Sequence, residues 1–149
     1  MVGQLSKDKV VPKLGFLINW TGTAKGKMEN IAAPAINETR IFLVDKDKAP
    51  QSEIRIGYPA LAYDATGEFY KAKIMNFVLG GAFNSRINLN LREKRGFTYG
   101  AKTGFSGSKF IGNFTASAGV KAESTDSSVI EFMREMKDYV NGGITDKEL

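Results

Sequence analysis

The chain of 149 residues contains no histidine and no cysteine. Without cysteine there is no disulfide, no thiolate nucleophile and no cysteine-ligated metal. Without histidine there is no His-containing catalytic triad, and neither the H-E-x-x-H zinc motif nor its inverted form H-x-x-E-H can be built, because each needs imidazole as base or ligand. Self-contained zinc hydrolysis is therefore not expected of this composition. No apolar run reaches the length of a bilayer crossing, and the start "MVGQLSKDKV" lacks the charged-then-apolar order of a secretory signal, so the compartment stays open. Low-complexity tracts and internal repeats are missing too.

What is present describes a folded chain of about one domain: 42% hydrophobic, 25% charged and 11% aromatic residues. The net charge of +5 and pI near 9.4 raise a nucleic-acid reading. Clustering is absent, however. Lysines and arginines alternate with acids in "VDKDKAPQSE" and "EFMREMKDY", the pattern of a solvated surface.

Along the chain, "VGQLSKDKVVPKLGFLINWTGTAKGK" reads as a strand fragment, an amphipathic helix over Lys7 to Asn19 with Pro12 against it, and a polar connector. Two strands are expected at 39–44, "TRIFLV", and 52–58, "SEIRIGY", joined by the turn "DKDKAP". A helix capped by Thr66 follows, with Tyr70, Ile74, Phe77 and Val78 as its apolar stripe, until Gly80 and Gly81 end it. A second helix carries Phe83, Ile87 and Leu91 and runs to about Lys94, with Gly96 closing it. From Phe97 the period becomes two, through Phe105, and resumes from Phe110 to Val120, an antiparallel hairpin. Thr125 caps a last helix whose stripe is Val129, Met133, Met136 and Val140. The expected order is β-β-α-α-β-β-α. Thr145 and Glu148 fit a capping box at the start of one more helix, and with the mid-element start this predicts that the polypeptide is an excerpt of a longer protein.

Arg92 and Tyr99 fall at a helix end and a strand start, separated by Gly96. On residue type alone, the arginine favours a helix C-terminus and the tyrosine packs its ring, which are structural roles. Both are hydrogen-bond donors, and donors converging on one point suit a carbonyl oxygen, a carboxylate or an oxyanion.

The stretch "LGGAFNSRINLNLREKRGFTYG" resembles the signature of the non-metal-binding domain of the pitrilysin/insulinase family of zinc peptidases, through Leu79, Gly80, Gly81, Ser85, Arg86, Leu91, Arg92, Glu93, Gly96, Tyr99 and Gly100. The likeness extends to "IFLVDKDKAPQSEIRIGYPA" with Gln51 and Ser52, to "GGITDKEL", and to "INWTGT" at the end of a preceding domain. It implies an α+β two-layer sandwich, an antiparallel-rich sheet with helices on one face, incomplete at its C-terminus. It also implies residues 1–25 as the tail of a preceding domain with its connector, and 26–149 as the non-metal-binding domain.

Family members pair two such domains, fused or as separate subunits, around a chamber. One half holds zinc through H-x-x-E-H; the other supplies an arginine and a tyrosine. Arg92 and Tyr99 match that pair, which implies contacts to substrate backbone and oxyanion. The chain itself is then expected to hold no cofactor and no metal and to be inactive alone. Its implied partners are a zinc-bearing H-x-x-E-H domain or subunit and a peptide substrate, without nucleic acid or membrane segment. The alternatives are a non-catalytic scaffold subunit of the same fold and a basic nucleic-acid-binding module. Gly80 and Gly81 are expected to serve a tight helix connection, Arg86 and Glu93 to form structural ion pairs, and the strand from Phe97 to Ser106 to offer an edge to an extended peptide.

Overall fold

The computed structural model describes residues 4–22, 26, 29 and 32–149. The beginning of the expected N-terminal strand fragment and most of the Thr/Gly/Lys connector lie outside them. The chain divides into two compact units, Met1–Asn30 and Ile31–Leu149.

In the first unit, helix α1 (Lys7–Val10) passes into a 3-10 segment, Val11–Asn19, with Pro12 in its first turn. The single amphipathic helix expected over Lys7–Asn19 is thus broken where proline removes an N–H donor and its ring crowds the preceding turn. The 3-10 segment buries none of its residues.

In the second unit, β1 (Gln51–Ala60), β2 (Thr98–Ser106) and β3 (Gly112–Lys121) form one antiparallel sheet in the order β1-β3-β2. Helix α2 (Glu68–Asn76) ends in a π-helical turn, Phe77–Gly81, and α3 (Arg86–Asn88) in another, Leu89–Lys94. Helix α4 (Thr125–Gly142) follows the hairpin. This is the α+β architecture expected, with the helices on one face of the sheet.

Segment 39–44 corrects the expected order. It forms no strand and pairs with nothing among the described residues, and Ile41, Phe42, Leu43 and Val44 are 85% to 90% exposed. The polar turn after it does form, with Ala49 N donating to Lys46 O. Branched and aromatic residues favour an extended backbone, but a strand also needs a partner for its N–H and C=O groups. β1 takes β3 as that partner, in the register Ile54 opposite Ala118 and Ile56 opposite Ala116.

The core lies between sheet and helices. Ala116 and Ala118 in the central strand are buried and small, which leaves room for Ile87 of α3, Leu91 of the π-helical turn after it and Phe132 of α4. An aromatic row crosses all three strands at one end: Tyr58 and Phe105 stand 5.2 Å and 5.0 Å from Phe114.

Both long helices bury a different face from the one their apolar spacing predicts. In α2, Tyr70, Ile74 and Phe77 are exposed, while Phe69, Asn76 and Leu79 are buried and Val78 is half-buried. Asn76 tolerates burial because its side chain is fully engaged: Nδ2 donates to Thr103 O at 2.9 Å, and Oδ1 accepts from Thr103 Oγ1 at 2.6 Å. In α4, Val129, Met133 and Val140 are exposed and Ser128, Glu131, Phe132 and Tyr139 are buried, while Met136 of the expected stripe is half-buried and packs on the core. Each buried polar atom again has a partner. Ser128 Oγ donates to Ser124 O, Tyr139 Oη donates to Met75 O at 2.7 Å, and Glu131 accepts from Asn90, Arg95 and Arg134.

The caps differ from expectation as well. Gly67, not Thr66, caps α2, and the Asp64 carboxylate accepts from the N–H groups of Thr66 and Gly67. Those two bonds hold the Asp64 carboxyl below its ordinary range. Ser124 rather than Thr125 caps α4. Between Thr145 and Glu148 half of a capping box forms: Thr145 N donates to Glu148 Oε2 at 2.9 Å, but the threonine hydroxyl donates to the same oxygen instead of accepting from Glu148 N.

Candidate functional site

Tyr99 owes its position to a break in the sheet register. Thr98 stands opposite Val120 and Ala101 opposite Ala118, so three steps along β2 answer two along β3. The extra residue makes a β-bulge, and bulges re-aim side chains. Thr98 fixes it, with Oγ1 donating to Gly119 O at 2.7 Å and accepting from Gly100 N at 3.0 Å. Beyond the bulge Ala101 and Thr103 return to the core face, whereas Tyr99 is 91% exposed. The uninterrupted alternation expected from Phe97 therefore begins in earnest only at Ala101. Gly100 inside an alternating strand was the signal for the bulge.

Tyr99 stands at the rim of a hollow of about 460 Å³ lined also by Glu53, Gly81, Phe83, Asn88 and Lys102. Arg92 lies in the π-helical turn Leu89–Lys94, near the end of the helix that Gly96 closes with a left-handed φ of +65° and an N–H bond to Arg92 O. Arg92 does not line the hollow. Its guanidinium lies 4.4 Å from the ring centroid of Phe83, which does. Arg92 Nη1 comes within 3.3 Å of Glu93 Oε1, an ion pair, yet this buried nitrogen has no hydrogen-bond acceptor among the described residues.

Phe83 was expected in the buried stripe of α3 and is instead exposed, in the turn that precedes the helix. Its backbone is pinned by Asn88, whose Nδ2 donates to Phe83 O at 2.6 Å while its Oδ1 accepts from Ala101 N at 2.9 Å. One buried amide therefore ties the Phe83 turn to the strand just past the bulge. Neither Phe83 nor Asn88 stood out in the sequence, because an aromatic at helical spacing reads as core and a buried asparagine has no apolar period.

The outer edge of β2 is not free to accept a peptide strand along its middle, contrary to expectation. Ala101 N is taken by Asn88 and Thr103 O by Asn76. Gly80 lets the helix come this close: a Cβ there would stand 2.3 Å from Thr103 Oγ1 and 2.6 Å from Thr103 N. Arg86 engages the Glu148 carboxylate, donates to Gly143 O at 2.7 Å and lies 4.9 Å from the centroid of the Tyr139 ring, a structural role throughout. No group of three His, Cys, Asp or Glu residues that could hold a metal ion occurs among the described residues, and no helix among them is long and apolar enough to cross a membrane.

The comparisons with known proteins agree with one another. The family model described as "Peptidase M16 inactive domain" matches residues 1–149. The chain is 26% identical over 147 residues to a non-peptidase homolog, YmxG, of Helicobacter pylori, and 27% identical over 154 residues to an uncharacterized zinc protease of Streptomyces coelicolor. It covers 34% and 33% of those proteins, while 99% of its own length is matched in each case. A crystal structure of a peptidase M16 inactive domain from Pseudomonas fluorescens shares the fold with a TM-score of 0.75 at 24% identity, covering 99% of this chain and 35% of that one. A conserved protein from Enterococcus faecalis superposes with a TM-score of 0.73 at 21% identity, over 98% of this chain and 34% of that chain. The chain thus spans about a third of the length of the relatives it matches.

Proposed function

Because the chain belongs to the peptidase M16 inactive-domain family, we propose that it is the substrate-binding part of a zinc-dependent endopeptidase, in which Tyr99 and Arg92 contact the peptide backbone near the scissile bond. The observation that carries this reading is the bulge that turns Tyr99 away from the core and leaves its phenol exposed beside a hollow, with the guanidinium of Arg92 4.4 Å from the centroid of a ring that lines the same hollow. A strand tyrosine with a structural role packs its ring on a neighbour, as Tyr58 does on Phe114.

Zinc does not fit this chain. It has neither histidine nor cysteine, and its described carboxylates nowhere gather in a cluster of three. The metal belongs to a separate H-x-x-E-H domain or subunit, and this chain's own share is to bind and orient. Tyr99 Oη donates to a backbone carbonyl oxygen, and the bond strengthens as negative charge develops there. Arg92 brings a fixed cation on a side chain that is 32% exposed, and its accessible N–H donors meet a substrate oxygen. Residues 1–25 are, on the same reading, the tail of the domain that precedes this one.

A second reading is a non-catalytic scaffold of the same fold, favoured by the relative that is called a non-peptidase homolog. Steady-state cleavage of a quenched fluorescent peptide by the full-length protein, together with any separate zinc-bearing subunit, distinguishes the two. Tyr99→Phe is expected to lower turnover about 10- to 1000-fold, the range for loss of an oxyanion donor, with zinc content and melting temperature unchanged. Arg92→Ala raises KM as well, and Arg92→Lys restores only part, since an ammonium lacks the planar fork. Unchanged kinetics in both Tyr99→Phe and Arg92→Ala would refute the role. Absence of cleavage by the wild-type assembly would favour the scaffold.

A further inference from the structure

Phe83 is 72% exposed although it is a large apolar side chain inside an ordered turn. It contributes nothing to the buried core. Its backbone, by contrast, is held firmly, since the Asn88 amide joins Phe83 O to Ala101 N, two residues past Tyr99. Over its ring lies the Arg92 guanidinium at 4.4 Å, on a side chain that is 32% exposed. The negative face of an aromatic ring attracts a cation and, through planar stacking, fixes the orientation of a guanidinium without using any of its N–H donors. A hydrogen-bonded acceptor in the same place would fix Arg92 too, but would consume a donor that the substrate needs.

We propose that Phe83 is a positioning residue: a platform, anchored through Asn88 to the strand that bears Tyr99, which orients the Arg92 guanidinium beside the hollow and leaves its accessible donors for peptide carbonyl oxygens. The ligand class, an extended peptide, rests on the reading of Arg92 given above; the platform itself rests on the 4.4 Å cation–π contact and the Asn88 tie. Salt bridging to Glu93 at 3.3 Å steadies the charge but cannot set the plane, because it engages a single nitrogen. Phe83 therefore acts through Arg92 and not by touching the reacting atoms.

The test uses the full-length protein and two readouts. The first is the NMR resonance of the Arg92 Nε–H, assigned by its loss in Arg92→Ala. Ring current displaces it in the wild type; Phe83→Leu is expected to return it to the position of a free arginine, and Phe83→Trp to keep it displaced. The second is fluorescence anisotropy of a labelled unstructured peptide, which needs no turnover. Phe83→Leu is expected to weaken binding about three- to tenfold, the range of a partly desolvated cation–π contact, and Phe83→Trp to rescue it. In an Arg92→Ala background Phe83→Leu should add nothing. A resonance unmoved in Phe83→Leu overturns the platform whatever the peptide does. Binding weakened equally by Phe83→Leu with and without Arg92 overturns it as well, since the ring would then meet the peptide directly. If the resonance moves as expected but Arg92→Ala binds peptide like the wild type, the peptide-binding reading of Arg92 falls and the platform stands.

Discussion

Asn76 engages two polar atoms of Thr103, donating to its carbonyl oxygen at 2.9 Å and accepting from its hydroxyl at 2.6 Å. A helix side chain thus supplies to the edge of β2 what a neighbouring strand would supply. Asn76→Leu keeps the volume and adds apolar surface, so a hydrophobic account of this position predicts stabilisation. We expect a loss of about 2 to 4 kcal/mol in urea unfolding, because the Thr103 carbonyl and hydroxyl are left buried without partners. A neutral or more stable Asn76→Leu would show that solvent or another group satisfies Thr103.

The same contact fixes Gly80. Its missing Cβ would overlap the Thr103 amide nitrogen, a backbone atom that cannot rotate away. Gly80→Ala is expected to cost about 3 kcal/mol, at the upper end of ordinary overpacking, whereas Gly104→Ala, which meets nothing within 4 Å, should fall within about 0.5 kcal/mol of the wild type. Equal midpoints for the two variants would mean that the helix does not approach the strand this closely.

Acid should unfasten the Arg86 clasp. Hydrogen bonds from Arg86, then from the hydroxyl and backbone N–H of Thr145, hold the Glu148 carboxyl down to about 2. A carboxyl whose folded pKa is depressed binds fewer protons folded than unfolded, so its contribution is complete above the ordinary carboxylate pKa and is lost as pH falls toward 2. Thermal melts from pH 6 to pH 2 should show the wild type losing its advantage over Glu148→Gln between about pH 4.5 and pH 2. A difference between the two proteins that stays constant across that range would refute the clasp.

What could be read from the sequence, and what could not, divides along one line. The hairpin of β2 and β3, the helix after it and the glycine stop at Gly96 follow from local signals: a period of two, a capped apolar run, a residue able to take φ of +65°. The buried faces of α2 and α4 do not, because Asn76, Ser128 and Glu131 are made acceptable inside only by partners remote in sequence or by a backbone carbonyl one turn away. Segment 39–44 has strand composition without a strand partner. At the site, Arg92 and Tyr99 were legible through motif likeness, and the structure adds the geometry beneath them: a one-residue bulge no periodicity displays, and Phe83, whose spacing suggested core and whose position is the surface.

The two asparagine amides on β2 have a consequence for assembly. An open sheet ordinarily has two sites of growth, one at each flank, and unlimited polymerisation needs both. Here Asn76 and Asn88 stopper the middle of one flank, while the flank at β1 carries no further strand among the described residues. In the language of polymer chemistry the β2 flank is a terminated end: two amides occupy the positions at which an incoming strand would have to propagate the ladder.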